Sequence, residues 1–61
     1  MCEANVYLLE GNEETLVLED VDKIIPQDNG IYLENIFGQR KTINATIAEM
    51  SLVEHKIILK K

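Results

Sequence analysis

Turn signals cut this chain into short pieces, and that spacing constrains its fold more than any other feature. Gly11-Asn12, Asp28-Asn29-Gly30, Phe37-Gly38 and Glu54-His55-Lys56 interrupt runs built largely from Val, Ile, Leu and Thr. Runs of this composition at roughly 8–12-residue spacing read as strands of an all-β barrel or sandwich. The predicted strands are Asn5–Glu10, Thr15–Glu19, a short Ile24-Ile25 piece, Ile31–Ile36 and Ile57–Leu59. The first two form a hairpin across Gly11-Asn12-Glu13-Glu14. Asn29-Gly30 predicts a type I′ turn, the pairing that dipeptide favours. Pro26 should end regular pairing, because it has no N–H to donate.

The stretch 42–53 is less regular. Thr42–Ile47 alternates like a strand or a short irregular piece, and a further strand is expected over about Ala48–Val53. Gln39-Arg40-Lys41 reads as an exposed loop, and Asp20-Val21-Asp22-Lys23 as a polar corner with one apolar anchor. Alternation points Leu16, Leu18, Ile31, Leu33, Met50 and Leu52 inward. The whole, residues 1–61, is expected to be one small SH3-like or Sm-like barrel of five to six strands. Its open edges invite pairing with a second copy.

Size sharpens that last point. A chain of 61 residues buries only about 60% of its unfolded surface and sits near the limit of independent stability. Small scaffolds add disulfides, a metal or an oligomer. One cysteine closes the first route, leaving a dimer, a metal or both. The net charge of −5, with acids spread along the chain, lacks the basic face that phosphate recognition needs. Residues 4–9 are too short for the apolar core of a secretory signal. No apolar run approaches the ~20 residues of a membrane helix. A single reduced cysteine fits the cytoplasm.

Enzymatic machinery is nearly absent. His55 is the only histidine and falls in a predicted turn, with no sequence motif that brings it to the thiol. It reads as a solvated turn residue. Asp20-Val21-Asp22 lacks the glycine and terminal glutamate of a calcium loop. The three glycines are isolated, so no phosphate-cradling loop exists.

Cys2 stands apart because of its covalent neighbours. The Met1 amine, the Cys2 backbone nitrogen and the Cys2 thiolate can form two fused five-membered chelate rings around a metal. If Met1 is removed, the Cys2 amine and thiolate still form one. A nitrogen-plus-sulfur set that favours planarity suits Ni(II) or Cu(II), whereas zinc prefers a tetrahedron. One chain does not complete the site, but two chains about a two-fold axis bring the same patch together and supply two thiolates. The other reading is a small buried structural cysteine, a common fate for a free thiol.

Several segments carry a resemblance. Met1-Cys2-x-Ala4-x-Val6, then Glu19-Asp20-Val21 with a following Ile, Ile47-Ala48-x-Met50-x-Leu52, and the ending Ile57-Ile58-Leu59 span nearly the whole chain. In order and length they resemble the CooT family, small nickel-binding accessory proteins of carbon monoxide dehydrogenase systems. The resemblance implies an SH3-like barrel and a homodimer joined through its N-terminal edge. It also implies one Ni(II) per dimer held by the N-terminal cysteines, so Cys2 with Met1 is the expected metal site. A nickel metallochaperone role follows, with a nickel enzyme or its maturation factors as partner. No ligand role is carried to His55.

Two other functions remain open from the residues. A small RNA-binding barrel would use Arg40-Lys41 and Lys60-Lys61, with Tyr32 or Phe37 for stacking. A protein-interaction module would keep Cys2 as a structural residue only.

Overall fold

A computed structural model describes residues 3–61. Met1 and Cys2 fall outside it. The described chain is all-β: β1 (Ala4–Glu10), β2 (Glu13–Gln27), β3 (Gly30–Asn35), β4 (Arg40–Ile43), β5 (Thr46–Ser51) and β6 (Lys56–Lys60). They form one six-stranded sheet in the order β4-β3-β2-β1-β6-β5. No helix among the described residues is long and apolar enough to cross a membrane.

The sheet is not closed into a barrel, which corrects the expected architecture. β4 pairs only with β3, and β5 only with β6. These two outer strands are consecutive in the chain and joined by Asn44-Ala45. The Ala45 N–H donates to the Ile43 carbonyl at 2.9 Å, a tight local turn. The link carries the chain from one sheet edge to the other without a ladder between them.

β2 is the long element, and it is irregular by construction. Val6 pairs with Leu18 but Tyr7 with Leu16, leaving Val17 as an extra residue. Ala4 pairs with Val21, so another extra residue falls between Leu18 and Val21, where Asp20 takes φ 55°. On the other edge, Val21 pairs with Asn35 and Lys23 with Glu34, which leaves Asp22 unmatched. Each such bulge bends the strand and raises its twist. β2 therefore pairs β1 along its first part and β3 along its second. The predicted polar corner at 20–23 is this bend, and the strand runs through it.

The bulges also explain which leucines are buried. A bulge at Val17 breaks the two-residue alternation, so Leu18 enters the core while Leu16 sits beside Tyr7 and is exposed. Ala48 is a bulge in β5, and that strand ends at Ser51. Met50 lies on an edge strand and is half exposed, and Leu52 falls in the following turn. The inward placements of Leu16, Met50 and Leu52 are thus corrected, while those of Leu18, Ile31 and Leu33 hold. The core joins Val6, Leu18, Val21, Ile31, Leu33, Ala45, Ile57 and Leu59.

Turns differ in detail from expectation as well. Gln27 pairs with Gly30, so Pro26 lies within the ladder rather than ending it. Its missing N–H is tolerated because this part of β2 has only β3 as a neighbour. The loop residues are Asp28-Asn29, and neither has positive φ, so the turn is not type I′. Gly30 follows with φ 143°. Arg40-Lys41 begins β4 instead of forming a loop.

Asn35 is the one buried polar residue among those described, at 2% exposure. Its Oδ1 accepts from the Phe37 and Gln39 N–H groups, at 3.1 and 2.8 Å. Its Nδ2 donates to the Glu19 carbonyl at 3.2 Å and to Gln39 Oε1 at 2.7 Å. One side chain thus fixes the 36–39 turn against the bend of β2.

Two substitutions test this account by urea denaturation. A Cβ at Gly30 would stand 2.3 Å from the Ile43 carbonyl oxygen, in a backbone region that side chains rarely adopt. Gly30→Ala should cost about 2 kcal/mol or more. Asn35→Ala leaves the two turn N–H groups and the Glu19 carbonyl without their partner. It should cost about 2–4 kcal/mol. Stability within about 0.5 kcal/mol of wild type would remove the role given to either residue.

Candidate metal centre at the N-terminal end

The expected ligands, Met1 and Cys2, lie outside the described residues. The structure does describe the residues that follow them in the chain. β1 starts at Ala4, and its first residues are held from both sides. The Asn5 N–H donates to the His55 carbonyl at 2.8 Å. The Asn5 side-chain Oδ1 accepts from the Asp20 N–H at 3.2 Å. The Asp20 carbonyl in turn accepts from the Ile36 N–H at 3.0 Å. A hydrogen-bonded row therefore runs across one end of the sheet, from the 52–55 turn through Asn5 and the β2 bend to the 36–39 turn.

The cause is the pairing of β1 with β6. Those strands are parallel, with Asn5 opposite Lys56 and Leu9 opposite Lys60. Parallel pairing places the start of β6 beside the start of β1. The turn that precedes β6 is thereby brought next to the residues that follow Cys2. His55 is exposed, as expected, and takes φ 54°. Its backbone contact with Asn5 is what the sequence could not connect with the N-terminal stretch.

This end is apolar at its rim. Leu52 and Val53 occupy the 52–55 turn at 78% and 90% exposure, and Phe37 tops the 36–39 turn at 68% beside the exposed Ile36. Among the described residues, no three His, Cys, Asp or Glu side chains converge as a metal cage.

Elsewhere, several charged groups have local partners. Lys56 Nζ meets Glu14 Oε1 at 2.8 Å and lies 5.1 Å from the centre of the Tyr7 ring. The bond to Glu14 holds the Lys56 ammonium above its ordinary range. On β3, the Tyr32 hydroxyl donates to Glu34 Oε1 at 2.7 Å. That bond raises the Tyr32 phenol and lowers the Glu34 carboxyl. Arg40 stands 3.9 Å from the same carboxylate, and Lys41 Nζ donates to the Val17 carbonyl at 2.7 Å. Of the residues considered for RNA contact, Tyr32, Arg40 and Lys41 thus meet protein groups, while Phe37 is exposed. Lys60 and Lys61 sit away from them, on a cleft of about 360 Å³ at the far end of β6.

Comparison with known proteins places the chain. No curated protein matches it. A crystal structure provisionally assigned to CooT of Carboxydothermus hydrogenoformans is similar in sequence and shape. It is 52% identical, with a TM-score of 0.94, and the match covers 98% of this chain and 97% of that one. The sequence model of CooT, described as the CO dehydrogenase accessory protein, matches residues 1–60. With nearly its whole span matched in this way, the chain belongs to the CooT family of carbon monoxide dehydrogenase accessory proteins.

Proposed function

We propose that this protein is a nickel carrier serving the assembly of a carbon monoxide dehydrogenase. The observation that carries the reading is membership in an accessory family of that enzyme, which contains nickel. The chemistry of Cys2 supports it: a thiolate and the backbone nitrogens of Met1 and Cys2 form a nitrogen–sulfur set suited to Ni(II). The described residues offer no competing cluster.

In this reading the protein is a homodimer, with Cys2 from each copy meeting near a two-fold axis. Two thiolates and two nitrogens then complete four-coordinate nickel. Nickel is cargo, so the site must release as well as capture. The ligands must then be accessible to an acceptor. The strand that follows them in the chain is held at its start, because Asn5 is tied on one side to His55 and on the other to Asp20. Binding consumes the thiolate form, so affinity falls as pH drops below the thiol pKa.

Titration of Ni(II) into wild type and Cys2→Ser, following the thiolate-to-nickel absorption band, tests the reading. Wild type should bind about one metal per two chains. Cys2→Ser should lose the band and at least about tenfold in affinity, or ~1.4 kcal/mol of binding energy. Undiminished binding in the variant would refute the assignment.

A further inference from the structure

The unclosed sheet leaves an opening into the core at the end where β6 finishes. Ile47 on β5 stands opposite Leu59 on β6, so the two side chains share the core-facing side of that ladder. Leu59 is fully buried, yet Ile47 is 38% exposed. The difference arises because β5 has no strand on its outer edge. The cleft of about 360 Å³ opens there. Its walls are the tip of the β2–β3 hairpin, the Asn44-Ala45 link with the start of β5, and the last residues of β6. Pro26, Ile31, Ala45 and Ile47 make it apolar. Ile31 and Ala45 are themselves buried core residues, so the cleft reaches the core. The walls are tied together. Gly30 lies so close to Ile43 that a Cβ would stand 2.3 Å from its carbonyl oxygen. The Thr46 hydroxyl donates to the Lys60 carbonyl at 3.2 Å.

Charge is the second observation. The chain has only 6 Lys and Arg against 11 Asp and Glu. Lys56 is held by Glu14, Arg40 stands beside Glu34, and Lys41 donates to the Val17 carbonyl. Lys23 lies opposite Glu34 in the β2–β3 ladder. Lys60 and Lys61 make no ion pair among the described residues, and both line the cleft. Asp28 is the one acid on that lining.

We infer that this cleft binds a small apolar carboxylate, with its aliphatic body against Pro26, Ile31 and Ile47 and its carboxylate beside Lys60 and Lys61. The volume falls at the lower end of the roughly 300–1,000 Å³ range of ligand pockets, which are mostly apolar with a few placed polar groups. A cationic ligand would meet two ammonium groups against one carboxylate, and a wholly apolar one would leave both ammonium groups unused. The net charge of −5 does not exclude an anion, because exposed charges more than about 8 Å apart are largely screened at physiological salt. The site shares no residue with the N-terminal stretch and is independent of the nickel reading.

Titration of nitrogen-15-labelled protein with sodium octanoate, followed by amide chemical shifts, tests the site. Saturable shifts should be confined to residues 27–31, 44–47 and 60–61. Acetate, which lacks the apolar body, and octylammonium, which reverses the charge, should leave those amides unmoved. Lys60→Gln/Lys61→Gln should bind octanoate about tenfold more weakly, as expected for the loss of two exposed ion pairs. Ile47→Asp should lose the binding, and a dispersed amide spectrum shows that each variant is folded. Such a carboxylate could be a free acid or the end of a peptide chain. N-acetyl-valyl-leucine with a free carboxyl group separates these sources: the tighter of the two ligands names the source, and either one supports the site. Octanoate shifts that never saturate, or that gather at Phe37, Leu52 and Val53 instead, overturn it. So does equal binding of octylammonium, or undiminished octanoate binding in the folded double variant.

Discussion

β1 carries hydrogen-bonded neighbours on both edges, antiparallel β2 on one and parallel β6 on the other. Everything else in the sheet is attached outward from these two pairings. Val6, fully buried, faces Leu18 on one side and Ile57 on the other, so the same strand centres the core. The parallel ladder joins residues about fifty positions apart, from Asn5↔Lys56 to Leu9↔Lys60. It therefore closes the chain upon its own beginning. Asn5 adds a side-chain bond to Asp20. Loss of β6 would remove Ile57 and Leu59 from the core, uncover Val6 and leave β1 with one partner.

Much of this fold could be read from the sequence, and the exceptions have a common cause. Runs of Val, Ile and Leu bounded by Gly, Asn and Asp marked the strands near their true places, because those residue types favour a half-buried pleat and its turns. Ile31 and Leu33 were placed correctly since β3 alternates without a bulge between them. Leu16 and Met50 were not, because single extra residues at Val17 and Ala48 reset the alternation. Neither Val nor Ala announces a bulge. Barrel closure was expected from strand count, yet closure also needs a ladder between the outer strands. Strand count does not decide whether two residues such as Asn44-Ala45 create one.

The candidate site was proposed from chemistry alone, and its surroundings were hidden. The donor set proposed at Cys2 rests on residue order. The neighbourhood depends on β1 pairing with β6 in parallel, and no local signal reports a contact between residues 5 and 55. The apolar turns were a missed clue. Leu52-Val53 were assigned to a strand because their side chains are apolar, but the strand ends at Ser51. An apolar pair alone does not place a residue in a strand or in the core, and here both side chains are exposed.

The parallel partner of β1 has a consequence for the order in which the molecule assembles. β1 and β2 can form a hairpin as soon as both have left the ribosome. β6 contains the last strand residues, so the ladder that fixes Asn5 against His55 waits for nearly the entire chain. Long-range pairings of this kind lower folding rates, because a large loop must close before any contact rewards it. During that interval β1 has only β2 as a partner, and Asn5 lacks its bond to the His55 carbonyl. The anchoring of the first strand is thus timed by the last one.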